Sequence, residues 1–462
     1  MFSEYLFRKV DNSPLVIFRI IFGLLIVAEC WGAIFTGWVQ TNFVEPHITF
    51  SFIGFEWTNV FLGQNMIYLY VLMGILGWFI VFGFAYRFSI IVFSILWSLT
   101  YFMQKTSYNN HYYLFMLVSW MMTIIPAHHF FSIDSLIFPK IKRLTMRNWV
   151  PTLFIIQLLI VYVFAAFAKI YPDWFNGVFL QMKFHEYGDL LTTKYNLIGL
   201  GKVVSSLEFA QVFAWGGFFF DLLIIPAMLM NRTRGIAFKC AVAFHIFNSA
   251  VFGIGIFPFF ALAMLIFFYD PVKIQEVVFP KKSFMMDRSD DDNLLTTRRV
   301  MFSYLMFFYV IWQIYLPVRH YFIPGNVFWT EEGHRMAWRM MLRNKAGEVV
   351  VYVSKPDPQK KGKFLKREKV DLTKYLTFKQ MSKMAVSPDM MWQFARYVKY
   401  DYAKNGVKDV KVFVDAKVSV NGSDYYQFTN ANYNLAYTTW SYFGHQKWIQ
   451  PTPKELNLSY FE

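Results

Sequence analysis

Cysteine is nearly missing from this sequence, which has two in 462 residues, and both lie within long apolar stretches. A disulfide framework of the kind that stabilises small secreted domains is therefore not indicated, and redox chemistry by a cysteine pair is not expected. Charged residues are also few, at 16% of the chain, and no glycine-rich phosphate loop or internal repeat occurs. This composition lies well outside that of ordinary soluble domains.

Apolar residues are correspondingly abundant, with 56% hydrophobic residues, 21% aromatic residues and 54 Phe. Nine apolar stretches approach the length that crosses a hydrocarbon core of roughly 30 Å. They lie at about 14–36, 66–84, 88–104, 112–128, 149–169, 212–230, 235–252, 254–269 and 300–317. The sequence predicts a polytopic α-helical membrane protein with about nine transmembrane helices.

Basic residues in the short loops predict how these helices are oriented, because cytoplasmic loops of membrane proteins carry an excess of Lys and Arg. The basic clusters all fall on one side if the amino terminus is cytoplasmic. They are Arg8 and Lys9, Arg87, Lys140, Lys142, Arg143 and Arg147, Arg232 and Arg234, and Lys273, Lys281, Lys282, Arg298 and Arg299. We therefore expect a transmembrane domain over 1–317 and an exoplasmic domain over 318–462.

The segment after residue 317 is polar and basic, with 23 Lys and Arg against 13 Asp and Glu. Its alternating runs "EVVVYVS" and "DVKVFVDAKVSV" are typical of strands, and a helix-like stretch at 374–404 lies between them. We expect an α+β domain. Its charge either forms a solvated face near anionic lipid head groups or attracts a negatively charged partner, whereas nucleic acid is not expected there.

An ionisable side chain inside a membrane span is costly and is by default a candidate for function. Lys169 is such a residue, at the end of the apolar run "FAAFAKIYPDW". In a structural interpretation it snorkels to the interface and pairs with Asp173. In a functional interpretation, desolvation keeps its amine neutral, so that it acts as a base. A nearby Asp173 would favour the charged ammonium and oppose that role.

Three further groups of polar residues lie within or at the ends of predicted spans. They are Asn109, Asn110 and His111; His128 and His129; and His245 with Asn248 on the same helix face. Each group also has a structural interpretation as loop caps, interfacial histidines or a satisfied buried histidine. No metal site is indicated, because no two histidines have i, i+4 spacing with a carboxylate beside them.

Eight stretches in order carry a resemblance that covers nearly the whole chain. They are "FRIIFGLLIVAE", "YRFS", "KTSYNNHYYL", "HHFFSIDSL", "FAKIYPDW", "AFHIFNS" with "GIGIF", "WTEEGHRMAWRMM" and "KWIQPTPKELNLS". Together they resemble the vitamin K-dependent gamma-glutamyl carboxylase family, whose membrane region is shared with the horizontally transferred transmembrane-domain (HTTM) group.

The resemblance implies a carbon-carbon lyase that is also an epoxidase. Vitamin K hydroquinone, as phylloquinol or menaquinol, is deprotonated and reacts with O2, and the product removes the γ-proton of a glutamate in a peptide or protein substrate. CO2 then adds, and the quinone leaves as the epoxide. A cofactor is needed because a glutamate γ-proton is too weakly acidic for any side chain to remove at neutral pH.

The resemblance also implies roles for individual residues. Lys169, in the family's "K-x-x-x-D-W" context, is the expected catalytic base, with His129 as a second expected catalytic residue. The expected cofactor contacts are Asn109, Asn110, His111, His128, His245 and Asn248. The expected substrate contacts are His334 and Trp338. A straight fourth span would put His129 roughly 25 Å from the outer face, so that helix is broken or tilted, or His129 lies outside the Lys169 site.

Departures from the animal members leave other functions open. The chain ends soon after "WIQP" and lacks their cysteines, and His128 stands where they have asparagine. We expect a bacterial inner-membrane homologue with a periplasmic carboxyl-terminal domain, or an endoplasmic reticulum protein with a luminal one if eukaryotic. The alternatives are a quinol epoxidase without carboxylation and a non-enzymatic quinone-binding or lipid-binding protein of the bilayer.

Overall fold

The chain was studied as a computed structural model, which describes residues 2–282, 297–340, 342–456 and 458. Arg298 lies within a helix, but its side chain is outside the described part. Nine helices make up the membrane region: α1 Ser13–Phe35, α2 Asn65–Phe82, α3 Tyr86–Met103, α4 Asn110–Ile124, α5 Trp149–Phe167, α6 Leu207–Leu229, α7 Arg234–Phe252, α8 Phe257–Met264 and α9 Thr297–Val318.

Seven helices in the described residues are long and apolar enough to cross a membrane, or eight if a bent pair is one span. The bent pair joins Phe257–Phe268 to Pro271–Val278 at an angle of 110°. Helix α4 is not among the seven because it has 15 residues, which span about 22 Å. A polytopic helical membrane fold is thus confirmed, although the fourth predicted span is shorter than expected and the eighth is bent.

Contacts between loops define two faces of the helical region. On one face, β1 (Lys9–Asp11) pairs antiparallel with β2 (Thr145–Arg147). On the other face, the loops before α2 and before α4 contact the carboxyl-terminal segment, as when Lys379 Nζ donates to Asn42 Oδ1 at 2.7 Å. Which face is cytoplasmic stays a prediction.

Further helices connect these elements or precede them. They are Phe2–Phe7, Ile133–Ile137, Pro172–Phe175, Val178–Thr193, Ile198–Val204, Pro271–Val278 and Val327–Thr330. The segment from 170 to 206, which follows Lys169, therefore contains three helices on the face that carries the carboxyl-terminal region.

The carboxyl-terminal segment contains a four-stranded antiparallel sheet in the order β4-β3-β5-β6. Its strands are β3 Lys345–Ser354, β4 Glu368–Lys369, β5 Lys411–Val420 and β6 Tyr426–Gln427. Alternate valines of the central pair are buried, such as Val351 opposite Val414. Helices α10 (Phe378–Met384) and α11 (Pro388–Lys404) lie between β4 and β5 in the chain, and the predicted α+β architecture is confirmed.

The two regions share packed side chains at the point where Lys169 lies. Tyr171 is buried, and its ring centroid is 4.3 Å from that of Phe328. Its hydroxyl donates to the carbonyl oxygen of Leu342. The chain just after Lys169 is therefore anchored in the extramembrane core. The domain division between residues 317 and 318 stays a prediction.

Candidate functional site

Lys169 lies just beyond the end of α5, on a turn between Ala168 and the extended residue Tyr171. It is 7% exposed. Its Nζ forms an ion pair with Asp221 Oδ2, donates to Ala165 O at 3.2 Å and lies 5.2 Å from the centre of the Trp174 ring. The lysine is therefore held inside the protein and does not snorkel to the lipid interface.

Asp221 is the residue of this site that the sequence reading passed over. It lies within α6 in the run "FFFDLLIIP" and is 6% exposed. A single carboxylate within an apolar span is a candidate for function, but the sequence favours Asp173, four residues from Lys169, as the partner of the lysine.

Asp173 is not the partner of Lys169 in the structure. Its Oδ2 accepts a hydrogen bond from Asn421 Nδ2 at 2.8 Å, and Asn421 follows strand β5. The carboxylate that was expected to decide the state of Lys169 instead ties the short helix Pro172–Phe175 to the extramembrane sheet.

Beside the ion pair lies an apolar cavity of about 620 Å³. Helices α6 and α7 supply most of its wall, which is rich in phenylalanine. Its polar lining includes four of the predicted site residues, which come from three distant stretches: His111, Lys169, His245 and Asn248. We call this space the apolar cavity.

Two histidines of the apolar cavity have nitrogen atoms free for a ligand. His245 is 1% exposed, and its Nε2 shares a hydrogen bond of 2.8 Å with the Tyr162 hydroxyl. His111 stacks on Phe257 with ring centroids 3.9 Å apart. Within the described residues, neither His111 Nδ1 nor His245 Nδ1 has a hydrogen-bond partner. A buried polar atom without a partner is costly, so a bound polar group would be stabilised there.

A second cavity of about 370 Å³ lies on the side of the carboxyl-terminal segment. His111 and Met340 line both cavities, and so the two spaces share a wall. The charged lining of the second cavity is mostly basic: Lys105, Arg335, Arg339, Arg343, Lys345 and Lys383, with Glu331 as the acid. We call it the basic cavity.

Glu331 neutralises part of this charge. It pairs with Arg343, with Lys345 at 3.2 Å and with His334 at 3.2 Å. Burial alone would raise the pKa of the Glu331 carboxyl, but these neighbours outweigh it and hold the pKa well below its usual value. Burial lowers the pKa of Lys345 to about 8, against the opposing pull of Glu331. Glu331 is therefore ionised at neutral pH.

Asp389 provides the second neutralised cluster. Its Oδ2 is 2.5 Å from both Lys105 Nζ and Arg335 Nη1. Burial would raise the pKa of the Asp389 carboxyl, but Arg335 and Lys105 hold it well below its usual value. Burial lowers the pKa of Lys105 to about 8. Since Lys105 precedes α4, this ion pair joins the membrane region to the extramembrane domain.

Arg339 is the arginine of the basic cavity that has no carboxylate partner among the described residues. Its Nη1 is 3.4 Å from His320 Nε2, and its guanidinium lies 4.3 Å from the centre of the Phe328 ring. Burial lowers the pKa of Arg339 to about 10. The guanidinium therefore remains charged at neutral pH and is available to an anion.

The two asparagines before α4 have different contacts. Asn109 Oδ1 accepts from Tyr112 N at 2.7 Å and so caps the helix. Asn110 Oδ1 accepts from the Tyr108 hydroxyl at 2.8 Å, and its Nδ2 donates to Arg339 O at 3.0 Å. Both line the basic cavity and not the apolar one. Their predicted contact with a cofactor stays a prediction.

His128 and His129 lie at the other end of α4, about 20 Å along the helix axis. The His128 ring stacks on Tyr86 with centroids 5.1 Å apart, and His129 O accepts from Arg143 N at 3.0 Å. Helix α4 is continuous, so no break brings them back. Neither histidine lines the cavity that holds Lys169, and the structure does not bring them into that site.

The two predicted substrate contacts also differ. His334 lines the basic cavity, and burial lowers its pKa to about 3, so its imidazole is neutral. Trp338 is fully buried and packs on Tyr113 with ring centroids 5.0 Å apart. It lines neither cavity, and its predicted contact with substrate stays a prediction.

Comparison with known families assigns both parts of the chain. Residues 7–272 match the HTTM domain, and residues 298–455 match the lumenal domain of vitamin K-dependent gamma-carboxylase. No solved structure matches the chain. The first match includes all residues of the apolar cavity except Met340, and the second includes Arg339 and its charged neighbours.

Proposed function

Because this chain belongs to the vitamin K-dependent gamma-carboxylase family, we propose that it is a quinol-dependent gamma-glutamyl carboxylase and epoxidase. The observation that carries the proposal is the pair of cavities, one apolar and one basic, that share His111 and Met340 as a wall. Such a pair suits a lipid-soluble quinol and an acidic peptide side chain that must meet at one point.

The apolar cavity fits the ring of a quinol and part of its isoprenoid tail. Its volume of about 620 Å³ lies within the usual range of roughly 300–1,000 Å³ for small-molecule sites. The residues that would hold the quinol hydroxyls are Lys169, His111 and His245. When bound, the quinol and O2 supply a base far stronger than any side chain.

Lys169 accepts a proton from a quinol hydroxyl in this proposal. That role needs a neutral amine, which burial favours and the Asp221 carboxylate opposes. When the proton that the pair shares lies on the Asp221 carboxyl, the Lys169 amine is neutral and can accept a proton from the quinol. The proton-accepting unit is therefore the coupled pair of Lys169 and Asp221.

His245 and His111 orient the reacting group. The Tyr162 hydroxyl holds the His245 ring through Nε2, which leaves Nδ1 for a ligand. His111 stands on the shared wall and is the residue able to contact groups on both sides. Both imidazoles lie among phenylalanines, an environment that excludes water from the base.

The basic cavity takes the substrate glutamate. Arg339 supplies a charged, planar donor without a carboxylate of its own in the described structure, and a bidentate arginine pair is a strong form of carboxylate recognition. Glu331 and Asp389 form ion pairs with neighbouring cations of the cavity. Arg339 is therefore the arginine left to bind the carboxylate of one substrate glutamate.

We place the protein in the bacterial inner membrane, with the basic cavity opening to the periplasm. The partner is then a glutamate-containing peptide or protein, and the co-substrates are vitamin K hydroquinone, O2 and CO2. A quinol epoxidase without carboxylation uses the same apolar cavity and is separated from the main proposal by experiment.

The first experiment measures both products in one reaction. Purified protein is given vitamin K hydroquinone, O2, a glutamate-containing peptide and labelled bicarbonate, and epoxide and peptide-bound label are followed. We expect both products, and a loss of at least about a hundredfold in Lys169→Ala with no loss in the exposed-lysine control Lys202→Ala. Full epoxide formation by Lys169→Ala would refute the assigned base. Epoxide without peptide label would favour the epoxidase.

A second experiment tests the basic cavity. Arg339→Gln should lower kcat/KM for the peptide by about tenfold to a hundredfold, because a charge-assisted hydrogen bond contributes about 1.5–3 kcal/mol. The KM for the quinol should not change. Arg396→Gln, at an exposed arginine of α11, is the matched control, and equal losses in the two variants would contradict the assignment.

A further inference from the structure

A third cavity, of about 580 Å³, lies on the face that carries the short β1–β2 pair, away from both cavities described above. Its walls come from the start of α1, the end of α2 and the segment 130–136, and they are mostly apolar: Ile20, Val81, Phe82, Phe130, Phe131, Ile133 and Leu136. Several wall residues face outward, with Leu136 77% exposed and Phe82 53% exposed. The cavity is therefore open at the outer surface of the helical region.

The charged residues that line this cavity are both cations, Arg19 at its base and Lys142 at its rim. Arg19 is fully buried and donates to the carbonyl oxygens of Ala127 at 2.9 Å and Phe130 at 3.3 Å. Its Nε has no partner among the described residues. Lys142 is exposed, and no carboxylate lines the cavity.

The walls of the cavity are held by specific contacts. The Asp134 carboxylate accepts from Ala85 N at 2.7 Å and from Tyr86 N at 2.9 Å, which ties the segment 130–136 to the start of α3. Gly83 has a φ of +61°, and a Cβ there would lie 2.5 Å from Ser132 Cβ. Because this corner is closely packed, the cavity is a preformed feature of the fold.

We propose that this cavity binds one anionic glycerophospholipid of the surrounding leaflet. An acyl chain occupies the apolar walls, and Lys142 pairs with the phosphate of the head group. The lysine at the mouth and the absence of a lining carboxylate in the described residues give the charge complementarity that favours an anionic over a zwitterionic lipid. This proposal does not depend on the proposed enzymatic activity.

The test compares two lipids that differ only in the head group. The full-length protein is delipidated in detergent and mixed with phosphatidylglycerol or with phosphatidylcholine of the same acyl chains, and bound lipid is counted by native mass spectrometry. We expect one tightly retained phosphatidylglycerol per chain, with affinity about fivefold higher than for phosphatidylcholine, as one lysine at a membrane surface contributes.

Two variants and one control decide the outcome. Lys142→Gln should remove the preference for phosphatidylglycerol, whereas Lys140→Gln, at an exposed lysine of the same loop outside the cavity, should keep it. Ile20→Trp fills the cavity and should abolish retention of both lipids. Equal affinity for the two lipids, equal effects of the two lysine variants, or retention in Ile20→Trp would each overturn the proposal.

Discussion

At the scale of single residues, the pairing of Lys169 with Asp221 determines the chemistry available in the apolar cavity. The lysine could be picked out from the sequence because a cation within an apolar run is rare. Its partner lies 52 residues further on, in another helix. Proximity along the chain favoured Asp173, but the direction of a side chain after a helix end is set by tertiary packing. The sequence therefore singled out Lys169 but not the carboxylate that pairs with it.

Replacing Asp221 by Asn tests what that counter-charge does. Without the carboxylate, the ammonium form of the buried Lys169 loses its stabilising partner, so the neutral amine that the proposed role needs is favoured. Asp221→Asn should therefore retain epoxide formation at neutral pH, whereas Lys169→Ala should lose it.

The control for Asp221→Asn is Asp173→Asn, which removes a carboxylate bonded to Asn421 instead of Lys169. Its rate of epoxide formation at neutral pH should equal that of the wild type. If Asp221→Asn is as inactive as Lys169→Ala at every pH, then Asp221 is itself the proton acceptor and the shared-proton description is wrong.

At the scale of elements, helix α4 determines which of the predicted polar groups can share a site. The resemblance implies contacts at both of its ends, through Asn109, Asn110 and His111 at the start and His128 and His129 at the end, although a straight helix leaves His129 outside the Lys169 site. A continuous helix of 15 residues separates them by about 20 Å. Periodicity in the sequence located the helix, but a family resemblance names residues without distances, and the helix rise decides which of them meet.

The start of α4 also gives a stability prediction. Asn109→Ala removes the side-chain cap of Tyr112 N and should lower the free energy of unfolding by about 1 kcal/mol, within the usual range of about 0.5–2 kcal/mol. Unfolding in mixed detergent titrations would measure it. Asn109→Ser keeps a capping oxygen and should lose little, and a similar loss in both variants would contradict the capping role.

At the scale of the whole molecule, a buried ion pair joins the helical region to the extramembrane domain. Asp389 forms it, because it binds Lys105 from the membrane region as well as Arg335 from its own domain. The class of each region could be predicted from apolar runs and strand alternation. The way in which the two regions dock could not be predicted, because it depends on charged residues that are far apart in the sequence. A count of these charges indicates only a solvated basic surface.

The docking should depend on pH with a definite sign. The folded pKa values of Asp389 and Glu331 are lowered, so their stabilisation is fully present above about pH 4, the ordinary value of a carboxyl, and is lost as the pH falls further. The melting temperature in detergent should therefore fall on acidification below about pH 4.

Asp389→Asn should lower the free energy of unfolding at neutral pH by about 3–5 kcal/mol, because it leaves Lys105 buried without a partner. The melting temperature should fall accordingly. Asp371→Asn, at an exposed carboxylate of the same domain, is the control and should melt like the wild type. A neutral-pH melting temperature that is the same in both variants would show that the buried pair does not hold the regions together.

The wall that His111 and Met340 form between two cavities also determines how concentration enters the proposed reaction. One reactant is dissolved in lipid and counted as a mole fraction of the bilayer, whereas the other is dissolved in water and counted in molarity. Inert lipid dilutes only the first, and added buffer dilutes only the second. In the proposed reaction, neither reactant therefore has to leave its own solvent, because the two meet at the boundary that His111 and Met340 form.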